Sequence, residues 1–420
     1  MTTTDTSPPS VPTPQAKAAA ALAPSRRTEG IALCLSGGGF RASLFHLGAL
    51  RRLQEMGILQ RVGAISSVSG GSIFAAFLAT RLHQLKQPLS QGFSDWPGQV
   101  AAPFRAFCRR DFRTVPILTH LFWNWIWPGP LVHHLERRYR RRLTALTLKD
   151  LPESPRFLLC ATDLTFGVSW EFSRDRVGDY QAGYLQDAGD WPLARAVAAS
   201  ACFPPLFGPV SIQASAGGYH RGGYAGPGRE ELRARIQLSD GGVYDNMGLE
   251  PVWKDWTHVL VSDCGAPFDF RLDSTPIRRL LRYTAVVTSQ TRALRLRSFF
   301  GDDDAGRYHG AYWSLGSGAR PPAPGEGYAG YSRELTDQVL ERVRTDLDSF
   351  SDAEMSVLEN HGYWAAERSL AKHDLLLQAG RTIPPPVTPY PDWVDEAKVR
   401  CALTDSHKRF TLRRLLRAFT

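Results

Sequence analysis

Gly30-Ile31-Ala32-Leu33-Cys34-Leu35-Ser36-Gly37-Gly38-Gly39-Phe40-Arg41 reads as a short buried strand, a three-glycine turn and the start of a helix running through Leu53. Glycine tolerates positive φ and lets the backbone approach a ligand closely. Ahead of a helix, the unpaired N–H groups of such a turn favour negative charge. That charge is either a bound phosphate or an oxyanion formed only during a reaction, and the turn alone leaves both open. Outward from it, Val62-Gly63-Ala64-Ile65-Ser66-Ser67-Val68 reads as a second apolar strand, followed by Ser69-Gly70-Gly71 and a buried helix from Ile73. The order β–turn–α–β–turn–α predicts a parallel α/β sheet. Both turns then lie at the carboxyl edge of nearby strands, where open α/β sheets place their chemistry.

The 420 residues carry 50 Lys+Arg against 41 Asp+Glu, a formal net charge of +9. Arginine supplies most of it, in clusters at Arg109-Arg110, Arg137-Arg138, Arg140-Arg141-Arg142, Arg278-Arg279 and Arg413-Arg414. A basic surface favours anionic partners, lipid headgroups or nucleic acid, or is simply a solvated face. With 43% hydrophobic and 22% charged residues the composition is that of a globular protein with a sizeable core. The cysteines, at 34, 108, 160, 202, 264 and 401, form no C-x-x-C pair, so neither a zinc site nor a redox motif is signalled. Their scatter fits a reducing, cytoplasmic compartment. No apolar run reaches the roughly 18 residues of a spanning helix. Residues 1–28 read as a disordered tail without the basic and apolar regions of a secretory signal.

Further along, Trp123, Trp125 and Trp127 crowd the stretch from Pro116 to Pro128, in a region (88–145) that interrupts the α/β pattern. It is read either as a lid or membrane-contact element or as a helix packed on the core. A basic helix follows, with Leu135, Tyr139 and Leu143 at i, i+4, i+8. Strands are expected at 156–163, 236–239 and 257–263, with a small-residue helix at 193–200 and a Gly-rich loop at 214–229. Helices are expected at 276–299, 332–349 and 352–372, the last capped by Ser351 with Glu354. A Pro-rich segment from Ile383 separates a basic tail whose end, 407–420, reads as an amphipathic helix for membrane contact.

Ser69 sits between strand and helix with Gly70 and Gly71 behind it, the pattern of a nucleophile elbow with Ser67 in place of the usual first glycine. A serine needs a base. His46, mid-helix, and His258, at a strand start, read as structural. Asp240 ends a strand before Gly241-Gly242, a turn suited to a carboxylate at the sheet edge; as a base it should be partly desolvated, with a pKa near roughly 6–7. The alternative is a turn without a chemical role.

Together, Gly37-Gly38-Gly39-Phe40-Arg41, Ser67-Val68-Ser69-Gly70-Gly71 and Asp240-Gly241-Gly242 resemble, in order, the motifs of the patatin-like phospholipases. Ala161-Thr162-Asp163-Leu164, the stretch Ala198 to Phe207 and Val243 to Glu250 add to the resemblance, which covers about residues 30–265. It implies a three-layer α/β/α fold with a mostly parallel central sheet, in an acyl hydrolase domain over 29–380 followed by the tail at 381–420. It also implies a Ser–Asp dyad without histidine: Ser69 as nucleophile, Asp240 as base. The N–H groups of Gly37, Gly38 and Gly39 would form an oxyanion hole, with Arg41 fixing that loop. The implied substrates are phospholipids, lysophospholipids or acylglycerols, hydrolysed without metal or other cofactor and without a nucleic-acid partner, at or near an anionic membrane. Ser36 stands where many members have Asp. The other readings are a catalytically silent protein of this fold that binds membrane or a protein partner, and a nucleotide site at the glycine turn. The last lacks both Gly-Lys-Ser/Thr and G-x-G-x-x-G spacing.

Overall fold

The alternation of the apolar run at the start of the chain decides how the layers assemble. In β1 (Thr28–Leu35), Ile31, Leu33 and Leu35 pack into the large core on one face of the sheet. Ala32 and Cys34 pack into a second, smaller core on the other. A strand whose successive side chains enter opposite cores must be continuously apolar. The computed structural model describes residues 27–112, 131–185, 188–204, 207–212, 218–265, 267–268, 276–320, 327–371, 373, 382–404 and 406. The tryptophans at 123, 125 and 127 and the tail 407–420 lie outside them, as do residues 1–26.

After β1 come α1 (Gly39–Glu55), β2 (Val62–Val68), α2 (Gly70–Leu85), α3 (Ala102–Cys108) and α4 (Leu131–Arg142). Then follow β3 (Arg156–Asp163), β4 (Val168–Phe172), β5 (Val177–Asp179), β6 (Gly183–Leu185), α5 (Leu193–Ser200), β7 (Val210–Ile212) and β8 (Tyr219–His220). The chain continues through α6 (Arg229–Ala234), β9 (Ile236–Asp240), α7 (Gly242–Asp245), β10 (Trp256–Asp263), α8 (Pro276–Asp304) and β11 (His309–Ser314). It closes with α9 (Arg333–Gln338), α10 (Asp352–Leu370) and α11 (Glu396–Leu403). Strands β11, β10, β1, β2 and β3 form the parallel centre, as expected. Beyond β3 the sheet turns antiparallel through β4, β5, β6 and β8, while β9 pairs with both β3 and β7. Among the described residues no helix is long and apolar enough to cross a membrane.

Helices α1 and α10 cross at glycines. A Cβ on Gly48 would strike the Glu359 carbonyl, and one on Gly362 the Phe45 carbonyl. Ser351 and Glu354 cap α10 in the expected reciprocal box. The helix expected over 332–349 is shorter: α9 ends at Gln338, and Leu340–Arg342 makes one 3₁₀ turn. Its carbonyls are used elsewhere. Arg41 takes those of Glu341 and Val343, each at 2.9 Å, and the Phe40 N–H takes that of Asp346 at 3.1 Å. Arg344 holds this strap down through Asp346 at 3.0 Å, Asp348 at 3.3 Å and Glu354 at 3.2 Å. Residues 382–404, which contain the Pro-rich segment Ile383 to Pro391, pack on the body. The Tyr331 hydroxyl donates to the Trp393 carbonyl at 2.6 Å, and Glu396 accepts the Ser332 hydroxyl at 2.7 Å. In the 88–145 interruption, Phe93, Trp96, Phe104, Phe107 and Phe112 belong to the main core, as do Leu135 and Tyr139 of α4 and Leu143 just after it.

The antiparallel extension buries two carboxyls against each other. Cross-strand pairing puts Asp163, Trp170, Asp179 and Tyr219 on one face. Asp163 Oδ1 accepts Thr165 N–H at 2.6 Å, and Asp179 Oδ1 accepts those of Gln181 and Ala182 at 2.7 and 2.6 Å. Their second oxygens are buried and take no donor from another described residue, an arrangement that favours one proton held between the two carboxyls. Burial first, then the neighbouring acid, raises the pKa of Asp179 to about 7, and burial raises that of Asp163.

Gly48→Val should destabilise the fold by about 1–3 kcal/mol, since it forces α1 and α10 apart; chemical denaturation measures it. The acid pair predicts a pH dependence. A carboxyl raised on folding contributes stability that is whole at low pH and is lost as pH rises through about 7. Asp179→Asn supplies the shared donor permanently. Its unfolding midpoint should therefore fall less than the wild type's between about pH 5 and about pH 8, leaving the variant the more stable at the upper end.

Candidate active site

The two glycine turns meet because they have no side chains. A Cβ on Gly70 would strike the Gly39 carbonyl, and one on Gly71 the Leu35 carbonyl. The Ser43 hydroxyl ties the crossing, donating to the Gly70 carbonyl at 2.6 Å. Between the turns stands Ser69, with φ +50° and ψ −115°. A non-glycine residue is held there only when its surroundings over-determine it, and this is the strained elbow expected. Ser69 is half-buried, so its side chain is reachable.

What holds the elbow is a relay of small hydroxyls. The Ser69 N–H donates to Ser200 Oγ at 2.9 Å, and Ser200 donates to the Cys160 carbonyl at 2.6 Å. Ser72 lies 2.8 Å from Ser200 and donates to Ser67 at 3.1 Å, and Ser67 reaches the Leu158 carbonyl at 3.2 Å. Ser67 therefore fits the crowded glycine position: its hydroxyl is satisfied and its CH₂ is buried. Ser36 fits too, accepting the Cys264 N–H at 2.6 Å.

Asp240 ends β9 opposite Ala161 of β3, which brings it to the edge where Ser69 stands. Its Oδ1 accepts the Gly242 N–H at 2.8 Å. The Ser69 hydroxyl stands close enough to lower the pKa of this carboxyl. It acts on the carboxyl as a donor, yet no bond of ordinary geometry closes onto the buried Oδ2. Such contacts often tighten only with substrate bound. Burial raises the Asp240 pKa to about 6 against the lowering effect of Gly242 and Ser69.

Of the three turn glycines, Gly37 already donates its N–H to the Asn246 carbonyl at 3.0 Å, which narrows the expected trio of free amides to Gly38 and Gly39. For these two no acceptor is present among the described residues. Gly38 (φ +140°) and Gly39 (φ +57°) take conformations that L side chains rarely adopt. Arg41 is buried. Besides the strap carbonyls it binds that of Cys264 at 2.9 Å, the same oxygen a Cβ on Gly38 would approach to 2.9 Å. It positions the turn from behind. Asn246, not foreseen as a site residue, braces both loops: its Oδ1 lies where a Cβ on either Gly37 or Gly242 would go.

The histidines read as structural behave so. His46 bridges Ser262 Oγ at 2.8 Å and the Ser36 carbonyl at 3.0 Å, and burial lowers its pKa to about 4. His258 contacts Thr257 at 3.1 Å. Tyr139 brings a buried phenol into the field of Asp240; burial chiefly, and then that carboxyl, raise its pKa. Among the described residues no group of three or more His, Cys, Asp or Glu is placed to hold a metal ion.

No curated protein matches this sequence. Among solved structures, human GIVD cytosolic phospholipase A2 in complex with methyl gamma-linolenyl fluorophosphonate is 15% identical, with a TM-score of 0.49 over 83% of this chain and 59% of that one. Another structure of the human enzyme matches at 14% identity and a TM-score of 0.37, covering 62% of this chain and 50% of that one. VipD from Legionella pneumophila is 14% identical, with a TM-score of 0.36 over 83% of this chain and 68% of that one. The chain thus spans about half the length of the first-matched phospholipase chain. The patatin-like phospholipase profile matches residues 33–253, more than half of the chain and all of the site from the glycine turn to Asp240. On that match, whose span holds the glycine turn, Ser69 and the aspartate turn, the protein belongs to the patatin-like phospholipase family.

Proposed function

We propose that this protein is a serine acyl hydrolase acting on ester bonds of phospholipids, lysophospholipids or related acylglycerols. The observation that carries the reading is the strained, reachable Ser69 beside a buried carboxyl whose pKa is raised to about 6. Family membership supports lipid hydrolysis as the class of activity.

In the proposed reaction Ser69 Oγ attacks the acyl carbon while its proton passes to the Asp240 carboxylate. The carbonyl oxygen takes up negative charge, met by the N–H groups of Gly38 and Gly39, which are fixed before reaction. As the C–O bond breaks, the leaving alkoxide takes the proton from Asp240. Water then attacks the acyl-enzyme, returns a proton through Asp240 and releases the fatty acid with Ser69 restored. Burial makes Asp240 a stronger base than a solvated carboxylate yet leaves it ionised at neutral pH. Gly242 keeps Oδ1 occupied, which leaves Oδ2 as the atom to receive the proton.

Purified protein should hydrolyse a short-chain nitrophenyl ester, with kcat/KM falling as pH drops through about 6, because the base must be ionised. Ser69→Ala and Asp240→Asn should each remove about 10³-fold or more of that activity. Undiminished turnover by Ser69→Ala would refute the assignment. Folded protein whose Ser69 resists a fluorophosphonate probe would point to the silent member of the fold instead.

A further inference from the structure

The crossover helix α8 is longer than the connection requires. Arg292 is anchored to Asp263, the last residue of β10, through Nε at 2.9 Å and Nη2 at 2.6 Å. At its other end Phe299 packs with Tyr308, just before β11, whose hydroxyl donates to the Phe299 carbonyl at 2.6 Å. The helix therefore runs back from the carboxyl edge of the sheet to the amino edge between Arg292 and Asp304. Everything before Arg292 projects beyond the carboxyl edge, the edge that carries Ser69 and Asp240. At ~1.5 Å per residue, Pro276–Thr291 extends about 24 Å.

Over residues 283–288 that projection is exposed on every side. Tyr283, Thr284, Ala285, Val286, Val287 and Thr288 are all exposed in succession, with Tyr283 at 60% and Val287 at 65%. No charge interrupts Tyr283–Thr291. Its threonines also hide their polarity: Thr288 and Thr291 donate their hydroxyls back to the Thr284 and Val287 carbonyls, each at 2.9 Å. Around the uncharged stretch the helix carries Arg278, Arg279, Arg282 and Arg297, besides Arg292 and Arg295, which pair with Asp263 and Glu250, and it has no acidic residue before Asp302. Its root is tied to the site: Arg295 binds Glu250 at 2.8 Å and reaches the Tyr244 carbonyl at 3.4 Å, in the helix that follows Asp240. An uncharged helical segment that bares Tyr283, Ala285, Val286 and Val287 to water and is flanked by arginine suits a surface that is apolar within and anionic at its face. A second copy of this helix would bring arginine against arginine.

We propose that Tyr283–Thr291 of α8 seats in an anionic lipid surface and holds the carboxyl edge of the sheet, with Ser69, against it. The choice of occupant rests on the acyl-hydrolase reading above; the bare helix does not. The test uses the full chain, sedimented with vesicles of phosphatidylcholine alone and of phosphatidylcholine with phosphatidylglycerol. Wild type should partition onto the anionic vesicles, and Val286→Asp combined with Val287→Asp should lower that partitioning about tenfold or more. Hydrolysis of the soluble nitrophenyl ester by the double variant should be unchanged. Val287→Trp provides a local reading, its emission shifting to the blue on anionic vesicles. Unchanged partitioning of the double variant, or a Trp emission that does not move, would overturn the proposal. So would a dimer that the double variant converts to monomer in light scattering, because the helix would then cover a second copy. Wild type that binds vesicles through Val286 and Val287 but hydrolyses no ester would sink the catalytic reading and support this one.

Discussion

The site depends on main chain touching main chain. Where the turn after β1 meets the start of α2, the backbone of Gly70 lies against that of Gly39 and Gly71 against Leu35. No side chain fits between them, so glycine is required by space rather than by flexibility alone. This contact sets how closely the backbone of Ser69 approaches the amides of Gly38 and Gly39. It is also why Ser69 is strained: the strand must leave the sheet and begin a helix within one residue, under the adjacent turn.

Around that contact, polar groups buried without water have to be satisfied, and the molecule uses small hydroxyls and one guanidinium to do it. Ser67, Ser72 and Ser200 pass hydrogen bonds from the Ser69 amide to strand carbonyls. Arg41 collects three carbonyls, from Cys264, Glu341 and Val343, behind the glycine turn. Its Nη1 and Nη2 are spent on these carbonyls, while Nε is buried with no partner among the described residues. The electrostatic part of the site then rests on Asp240. Its carboxyl is almost fully buried, bears one backbone hydrogen bond, and has no cationic partner among the groups acting on its pKa. Desolvation therefore outweighs hydrogen bonding and its pKa rises. Asp263 shows the opposite balance at the same edge: equally buried, it lies against Arg292 and its pKa is lowered. One acid is kept basic, the other is kept as a structural anchor for α8.

The chain after the sheet has a supporting role that its own composition hardly announces. The strap at 341–346 supplies carbonyls to Arg41 and Phe40, and Arg344 fastens it by three carboxylates. Helix α10, capped at Ser351, presses on α1 through Gly48 and Gly362. Residues 382–404 then close over α10. The glycine turn is thus held from a part of the chain some three hundred residues away.

Read alone, the amino-acid order determined the elements with a strong local signal. The apolar runs of β1, β2, β3 and β10, the small-residue helix α5, the cap of α10 and the two glycine turns all follow from alternation, periodicity and turn chemistry. Ser69 and Asp240 were legible for the same reason: each sits beside glycines at the end of an apolar strand. Tertiary structure alone decided what those residues meet. That Gly37 spends its N–H on Asn246, that Arg41 binds the Cys264, Glu341 and Val343 carbonyls, that 332–349 gives up helix for a strap and that burial sets Asp163 beside Asp179 all depend on partners remote in sequence. The physical reason is that a hydrogen-bonding group takes the nearest partner left dry by packing. Which partner that is depends on the packed chain, and local pattern does not encode it.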